Sequence, residues 1–281
     1  SDLDTDKLDI LAAKTGMAAA SNEDIAQTCD VIVLAVKPQV MPAVCTALAA
    51  SLNDRRPLIV SIAAGITLTA LERWFGLEAA LVRCMPNTPA LVGSGASGLF
   101  ANARVSAAQR DIADQLLGAV GLSVWVDSEA DIDSVTALSG SGPAYFFLMM
   151  EAMQESAIKL GLTPAMAKSL TYQTALGAAQ LAIASEEDTA QLRRNVTSPN
   201  GTTERAINHF KEGGLRQLVD GALTAAHDRS VELAGEAELS GVLASRHPAD
   251  AHDGEVGEGG VDGLEHRRFD QQGVGRRAPA R

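Results

Sequence analysis

Cysteine, aromatic residues and clustered positive charge are all scarce in this sequence of 281 residues. The three cysteines, Cys29, Cys45 and Cys84, lie in or beside apolar segments and show no paired spacing. This excludes a disulfide-bonded scaffold and a cysteine-based zinc site, and it favours a reducing, cytoplasmic setting. The sequence also has no apolar run of membrane-spanning length and no charged leader followed by an apolar segment, so we expect neither membrane insertion nor export.

The balance of charge is acidic, with a formal net charge of −12. Nucleic acids need a concentrated basic face on their protein partner, and no segment before the last part of the chain supplies one. We therefore expect no nucleic-acid partner. Aromatic residues make up only 4% of the chain, whereas small residues are plentiful. This composition favours closely packed helices and still permits a small anionic ligand.

The first half of the chain alternates apolar strands with helices. Three runs are typical of strands buried on both faces of a parallel sheet, and they cover residues 31–36, 58–61 and 80–84. Apolar residues between them recur at helical spacing, and two shorter strands flank a further helix over 106–120. The alternation predicts a doubly wound, Rossmann-like α/β fold, in which ligands bind beyond the carboxyl ends of the strands.

After Asp127 the pattern changes to successive helices. Residues 139–143 predict a tight break, and helices are predicted over 131–138, 144–160, 164–185, 189–195, 202–212 and 215–234. The helix that contains Phe146 and Met153 is apolar on most sides, more than one small bundle can cover. We therefore expect two subunits to bury it together, in a homodimer or a larger homo-oligomer.

The last part of the chain differs in composition from the rest. From residue 236 it is rich in Gly, Asp, Glu, His and Arg and shows neither helical nor strand periodicity, so 236–281 is predicted to be a disordered tail. The spacing of His247, His252 and His266 within it matches no compact metal site. The chain is thus predicted to divide into an α/β domain over 1–126, a helical domain over 127–235 and this tail.

The segment 197–206 joins a turn to the start of a helix. Pro199 and Gly201 favour the turn, and Thr202 or Thr203 is suited to cap the helix that follows. The first amides of such a helix have no intrahelical acceptor, so they attract a carboxylate or a phosphate. An ordinary helix cap is the alternative interpretation.

Several patterns that carry chemistry are missing. The chain has no metal-binding motif, no nucleophile elbow and no histidines arranged for a triad, which weakens hydrolase functions. Hydride transfer needs orientation and exclusion of water more than it needs protein acids or bases, so a dehydrogenase or reductase is compatible with the predicted sheet. The pattern Gly-x-Gly-x-x-Gly occurs only at 93–98, where it leads into a predicted strand, so no such loop joins a strand to a helix.

Five motifs occur in the order in which they occur in pyrroline-5-carboxylate reductases. They are Val36-Lys37-Pro38-Gln39, Ser61-Ile62-Ala63-Ala64-Gly65, Arg83-Cys84-Met85-Pro86-Asn87-Thr88-Pro89, Ser139-Gly140-Ser141-Gly142-Pro143-Ala144-Tyr145 and Val196-Thr197-Ser198-Pro199-Asn200-Gly201-Thr202-Thr203. Over roughly 1–234 the chain resembles this family, whereas 235–281 is unlike it. The resemblance implies that 1–126 binds a dinucleotide and that 127–235 supplies dimerisation and substrate binding.

The resemblance also implies a reaction, the last step of proline biosynthesis. NADPH or NADH delivers hydride to the C=N carbon of 1-pyrroline-5-carboxylate, and L-proline forms. On this resemblance the amides of Gly201 to Thr203 hold the substrate carboxylate, Thr202 and Thr203 face the substrate, and Thr203 is the partner of the ring nitrogen. Glu186 matches a substrate-side position, although a solvated charge at a helix end is an open alternative.

The cofactor side is implied by the same resemblance. Asn22 and the segment Ala35-Val36-Lys37-Pro38 surround adenosine and ribose, Ile62-Ala63-Ala64 lies beside the nicotinamide half, and Asn195 reaches over from the helical domain. Residues 85–88 line the pocket where substrate ring and nicotinamide meet. For Lys37 the alternative is a surface lysine at the end of a strand.

One departure from the family affects the expected activity. Family members begin with a strand, a glycine-rich phosphate loop, a helix and a second strand, and this chain starts at Ser1 without them. Because the loop's amides hold the pyrophosphate, the chain as given is expected to bind dinucleotide poorly and to have little activity. Two alternatives stay open: a catalytically inactive subunit that only oligomerises, and a related hydroxy-acid dehydrogenase, which would need a lysine that 131–138 lacks.

Overall fold

The computed structural model describes residues 1–246, and its α/β part is built on one five-stranded sheet. The strands are β1 (Val31–Leu34), β2 (Leu58–Ser61), β3 (Ala80–Met85), β4 (Gly95–Ala101) and β5 (Gly121–Trp125), and they lie in sequence order. β1, β2 and β3 are parallel to one another, β4 pairs antiparallel with β3, and β5 is parallel to β4. The predicted Rossmann-like α/β fold is confirmed.

Five helices accompany the sheet. They are α1 (Thr5–Thr15), α2 (Asn22–Thr28), α3 (Met41–Ser51), α4 (Leu68–Phe75) and α5 (Ala107–Gly118). Ser21 and Ser106 begin α2 and α5 with capping boxes, because each hydroxyl accepts from the amide three residues on and that residue's side chain accepts in return. Gly16 ends α1 in the left-handed region, at φ 74°, which glycine adopts without strain.

The core lies on both faces of the sheet. Side chains alternate along β2, so Ile59 joins the cluster under α3 and α4, while Leu58 and Val60 join the cluster that includes residues of α5. The expectation that the first strand is buried on both faces is wrong for β1. Val33 shares the face of Val60, its partner in the ladder, but α5 packs on β5 and Val33 is left 43% exposed.

The rest of the described chain is helical. After α6 (Asp131–Val135) come a π-helical turn (Thr136–Gly140), α7 (Gly142–Lys159), α8 (Pro164–Ala184), α9 (Thr189–Asn195), α10 (Thr202–Glu212) and α11 (Leu215–Arg246). The predicted tight break over 139–143 is wrong. The chain stays helical there, because the π-helical turn absorbs an extra residue and Pro143 stands in the first turn of α7, where its missing N–H costs nothing.

Helix α11 also corrects the predicted tail. It continues to Arg246, so 236–246 is helical rather than disordered, while 247–281 lies outside the described residues. The segment contains Ala, Glu and Leu, which are strong helix formers that the average composition of 236–281 concealed. Ala237 packs against the core cluster of the sheet, which gives this part of the helix a tertiary contact.

The helical part packs closely on the sheet at two glycines. A β-carbon on Gly98 of β4 would lie 2.7 Å from Cγ1 of Val135, and one on Gly65, after β2, would lie 3.6 Å from the carbonyl carbon of Leu233 in α11. Away from these contacts α7 exposes Phe146, Phe147 and Leu148 by 63 to 68%. Within residues 1–246, no helix is long and apolar enough to cross a membrane.

Candidate active site

The carboxyl ends of β1 and β2 lie side by side and form what we call the strand-end group, residues 35–38 and 62–64. The two strands pair in parallel, with Leu34 opposite Ser61, and the amide of Ile62 donates to the carbonyl of Leu34 at 3.1 Å. The structure therefore brings together the two segments that the sequence assigned separately to the cofactor. Parallel strands present such adjoining ends to a ligand.

Within the strand-end group, Ala35 and Lys37 are exposed after β1, and Ala64 is exposed after β2. Pro38 opens a 3-10 turn directly after Lys37, which fixes the direction in which the chain leaves the strand. Among residues 1–246, the ammonium group of Lys37 has no ion pair or hydrogen bond with protein. Ala63 is buried while Ala64 is exposed, so the loop after β2 offers a small side chain and open backbone to a neighbour.

Asn22 occupies the first position of α2 and is exposed. Its side-chain oxygen accepts a hydrogen bond from the hydroxyl of Ser1. Its predicted contact with the adenosine half of a dinucleotide stays a prediction.

The end of β3 is tied to the π-helical turn by Asn87. The amide nitrogen of its side chain donates to the carbonyl of Ser139 at 3.1 Å, and its oxygen accepts from the backbone of Ala96 at 2.9 Å. Met85 reaches the same turn, since a β-carbon on Gly140 would lie 2.5 Å from its Cε. The segment predicted to line the pocket is thus anchored to both β4 and the helical domain.

A second group, the substrate turn, covers residues 198–203 at the start of α10. Asn200 has φ 58°, the left-handed conformation that Asn tolerates, and the amide of Gly201 donates to the carbonyl of Ser198 at 3.0 Å. Gly201 caps α10 without a side-chain hydrogen bond. In the described part of the chain, the amides and hydroxyls of Thr202 and Thr203 therefore have no protein acceptor, and Thr203 is half-buried.

Two more of the predicted site residues precede the substrate turn in the chain. Glu186 lies in the loop before α9, and Asn195 is the last residue of α9. Glu186 is exposed, and no ion pair holds it within residues 1–246. Asn195 is engaged locally: its oxygen accepts from the side chain of Gln191 and its amide donates to Glu187, both at 2.7 Å. These bonds hold the end of α9 next to the loop that carries Glu186.

The strand-end group and the substrate turn belong to different parts of the chain. α10 packs against α11, whereas residues 35–38 and 62–64 lie at the edge of the sheet. No hydrogen bond or ion pair of the described residues joins the two groups. The structure therefore shows each half of the predicted site by itself, and the apolar face that α7 exposes bears on how the two halves meet.

Comparisons with known proteins identify the family. A family model described as pyrroline-5-carboxylate reductase dimerisation matches residues 129–233. A pyrroline-5-carboxylate reductase of Pseudomonas aeruginosa is 60% identical over 214 residues, which are 76% of this chain and 78% of that protein. The chain belongs to the pyrroline-5-carboxylate reductase family. The resemblance to this family that the five motifs indicated is confirmed.

Other comparisons agree with this family assignment. A family model described as NADP oxidoreductase, coenzyme F420-dependent, matches residues 1–65. The solved structure of the Coxiella burnetii pyrroline-5-carboxylate reductase aligns with a TM-score of 0.79 and 49% identity, covering 81% of this chain and 85% of that one. The Plasmodium falciparum reductase, solved with NADP bound, aligns with a TM-score of 0.70 and 32% identity over 77% of this chain and 81% of its own.

Sequence reasoning missed a buried ionic cluster beside the site of this family member. Arg83 of β3 is only 3% exposed and pairs with Glu129 at 3.0 Å, while Asp133 lies 3.9 Å away. The signal was present, because an arginine inside the apolar run 80–84 must find a partner or leave the sheet. The identity of that partner, far along the chain, was not readable from the sequence.

Proposed function

We propose that this chain reduces 1-pyrroline-5-carboxylate to L-proline with NADPH or NADH, the last step of proline biosynthesis. The observation that carries the proposal is the 60% identity to the Pseudomonas aeruginosa reductase over 76% of the chain. The missing metal and nucleophile motifs agree with it, since hydride transfer to an iminium carbon needs neither. The alternative of a hydroxy-acid dehydrogenase has no comparable support.

The strand-end group fits the dinucleotide. Lys37 offers an unpaired positive charge to an anionic or hydroxyl-bearing part of the cofactor, and Pro38 fixes its loop. Ala63 and Ala64 leave room for a flat ring beside the end of β2, with Asn22, Ala35, Val36 and Ile62 completing the proposed contacts. When bound, NADPH or NADH supplies the hydride, and these residues orient it and exclude water.

The substrate turn fits a small imino acid. Its open amides at Thr202 and Thr203 suit a carboxylate, because the first turn of a helix presents unpaired N–H groups and a partial positive charge, whereas the amide of Gly201 is bonded to the carbonyl of Ser198. The hydroxyl of Thr203 is then placed to hydrogen-bond the ring nitrogen and to relay its proton as the carbon is reduced. Glu186, in the loop before α9, is proposed to approach the substrate, and Asn195, at the end of α9, is proposed to approach the cofactor.

The two halves are proposed to meet in a homo-oligomer. The dimerisation model spans 129–233, and the apolar face of α7 within it is more than half exposed at Phe146, Phe147 and Leu148. Association through this face adds a second protomer beside the first, so a substrate turn can approach a strand-end group across the interface. We propose the boundary between the dinucleotide-binding and helical domains at 126/127, a position that falls between β5 and α6.

A cytoplasmic location is proposed as well. All three cysteines are free thiols, with Cys45 and Cys84 buried, as suits a reducing compartment.

A direct assay tests the proposal. The purified chain is mixed with the cyclic imine and saturating NADPH or NADH, absorbance at the reduced-nicotinamide band is followed, and L-proline is identified by chiral chromatography. Imine-dependent oxidation with stoichiometric L-proline is the result that this proposal expects, and a rate close to zero would instead agree with the low activity expected from the sequence alone. A stable dimer by light scattering without cofactor oxidation, and without any change in NADPH fluorescence on titration, would instead identify a non-catalytic oligomerising subunit.

A further inference from the structure

A cluster of four polar side chains, three of them buried and Glu129 partly exposed, joins the sheet to two helices distant in sequence. Arg83 of β3, Asp133 of α6 and Ser230 of α11 are 3 to 8% exposed, and Glu129 precedes α6. Arg83 pairs with Glu129, Asp133 lies on its other side, and the hydroxyl of Ser230 donates to Asp133 at 2.7 Å. Burying such groups is costly unless each has a partner, so their arrangement is strongly specified.

One carboxylate oxygen in this cluster makes two connections. Oε1 of Glu129 accepts from Nη1 of Arg83 at 3.0 Å and from the backbone amide of Leu68 at 2.7 Å. Leu68 is the first residue of α4, where the backbone amides lack intrahelical acceptors and attract negative charge. Glu129 therefore fixes the start of α4 relative to β3.

Both connected points adjoin the candidate active site. Leu68 closes the loop that begins with Ile62 and Ala64, and Arg83 stands two residues before Met85, where the segment proposed to line the pocket begins. A displacement of Glu129 would therefore move both walls of the pocket at once.

Helix α11 holds the same loop from the other side. Gly65, at φ 74°, accepts the close approach of Leu233, and Ser230 lies one turn earlier on α11, bonded to Asp133. The loop proposed to lie beside the nicotinamide is thus clamped between the backbone of α11 and the hydrogen bond from Leu68 to Glu129. The far end of the chain contributes to its position.

We propose that Glu129 is a positioning residue for hydride transfer, with Arg83, Asp133 and Ser230 as its supports. This proposal rests on the proposed reductase function. Glu129 touches neither substrate nor cofactor; it sets the distance between the loop 62–67 and the end of β3. Hydride transfer depends steeply on this distance, since a misplacement of 1 Å costs roughly 100-fold in rate.

Steady-state kinetics of four full-length variants test the role. Glu129→Ala is expected to lower kcat by about 10- to 100-fold, with KM for the imine and for NADPH within about three-fold of the parent. Glu129→Gln keeps an oxygen that accepts from both Leu68 and Arg83 and is expected to retain kcat within about three-fold. Ser230→Ala is expected to lower kcat about three- to ten-fold. Glu78→Ala removes an exposed pair with Arg104 and is the matched control.

The pattern of these effects separates positioning from mere stability. A parental kcat in folded Glu129→Ala, or a loss confined to KM, would overturn the proposal, as would a Glu129→Gln variant that fails as badly as the alanine variant. Should Glu129→Ala not fold, Ser230→Ala decides: a parental kcat overturns the proposal, and a lowered kcat with unchanged KM supports it.

Amide hydrogen exchange gives a readout without activity. Glu129→Ala is expected to speed exchange in peptides covering 62–71 and 83–90, whereas Glu129→Gln and Glu78→Ala leave it at the parental rate. If the parent protein itself fails to oxidise NADPH, the proposed reductase function is wrong. The exchange rates of the two peptides then decide by themselves whether Glu129 holds these segments in position. Unchanged exchange in both peptides of Glu129→Ala would overturn it.

Discussion

Thr203 is the side chain closest to the proposed chemistry. Its hydroxyl has no protein partner among residues 1–246, and it stands half-buried in the first turn of α10, beside amides that are equally open. Loss of a proton relay usually costs about 100-fold or more, so Thr203→Val is expected to lower kcat about 100-fold, whereas Thr203→Ser stays within about ten-fold of the parent. Rates measured at saturating imine and NADPH give the comparison; equal rates for valine and serine would remove the hydroxyl from the mechanism.

The buried thiols make a prediction about pH. Burial raises the pKa of Cys45, and likewise that of Cys84, from 9.0 to about 12, because the thiolate is disfavoured away from water. Since only the unfolded thiols ionise above pH 9, this contribution to stability is fully present below pH 9 and is lost as pH rises from 9 towards 12. The free energy of unfolding, measured with urea at pH 8, 9.5 and 10.5, is therefore expected to fall as the pH rises.

Labelling the same cysteines provides a second check. At pH 8 an alkylating reagent is expected to modify Cys29, which is only partly buried, and to spare Cys45 and Cys84 until urea unfolds the chain. Mass spectrometry of the peptides separates the three. Modification of Cys84 in the folded protein at the rate of Cys29 would contradict the burial on which both predictions depend.

At the residue scale the sequence indicated some contacts and hid others. Lys37, Pro38 and the threonines of α10 stand in short motifs whose local chemistry is visible without a fold. The position of Arg83 within an apolar strand indicated that its charge needs a partner. That partner, Glu129, lies 46 residues later in the sequence, and only the tertiary structure brings the two together. Long-range pairs of this kind leave no local pattern to read.

At the scale of elements, the junction of β4 and β5 is the tightest glycine contact in the sheet. A β-carbon on Gly121, which has φ 151°, would lie 2.0 Å from the carbonyl oxygen of Gly95. Gly121→Ala is therefore expected to destabilise the fold by about 2–4 kcal/mol, through backbone strain and overpacking. Gly118→Ala is the matched control, since a β-carbon there meets nothing within 4 Å and alanine favours the end of α5. Urea denaturation compares the unfolding midpoints of the two variants, and a Gly121→Ala midpoint equal to that of Gly118→Ala would contradict the expected clash.

The boundaries of the helices show where the sequence pattern is enough to predict them. The predictions for α9 and α10 match the structure residue for residue, because caps and turn residues mark both ends. The π-helical turn was missed, since Gly140 and Gly142 are typical of a break, whereas tertiary contacts, among them those with Met85 and Asn87, accompany the helical conformation. The extension of α11 was missed because its stabilising contact, Ala237 on the sheet core, is a tertiary one.

At the scale of the whole molecule, the question is how the two halves of the site come together. The strand-end group and the substrate turn belong to different domains, and α7 exposes a long apolar face between them in the sequence. A monomer would leave Phe146, Phe147 and Leu148 in water, against the hydrophobic effect. We therefore expect each complete site to combine the strand-end group of one protomer with the substrate turn of another.

Hybrid dimers test this composition of the site. Lys37→Met and Thr203→Val are each expected to be poorly active alone, and the two chains are coexpressed with different tags so that mixed dimers are isolated. If sites are shared, one site of each mixed dimer carries both changes and the other carries neither, so activity recovers to about half of the parental value per dimer. If each site is built within one chain, both sites carry one change and no activity returns. Neither substitution lies on the apolar face of α7, so mixed dimers are expected to form as readily as parental dimers, and their yield controls for assembly. The activity per mixed dimer then depends only on whether the two substitutions fall in the same site or in different sites.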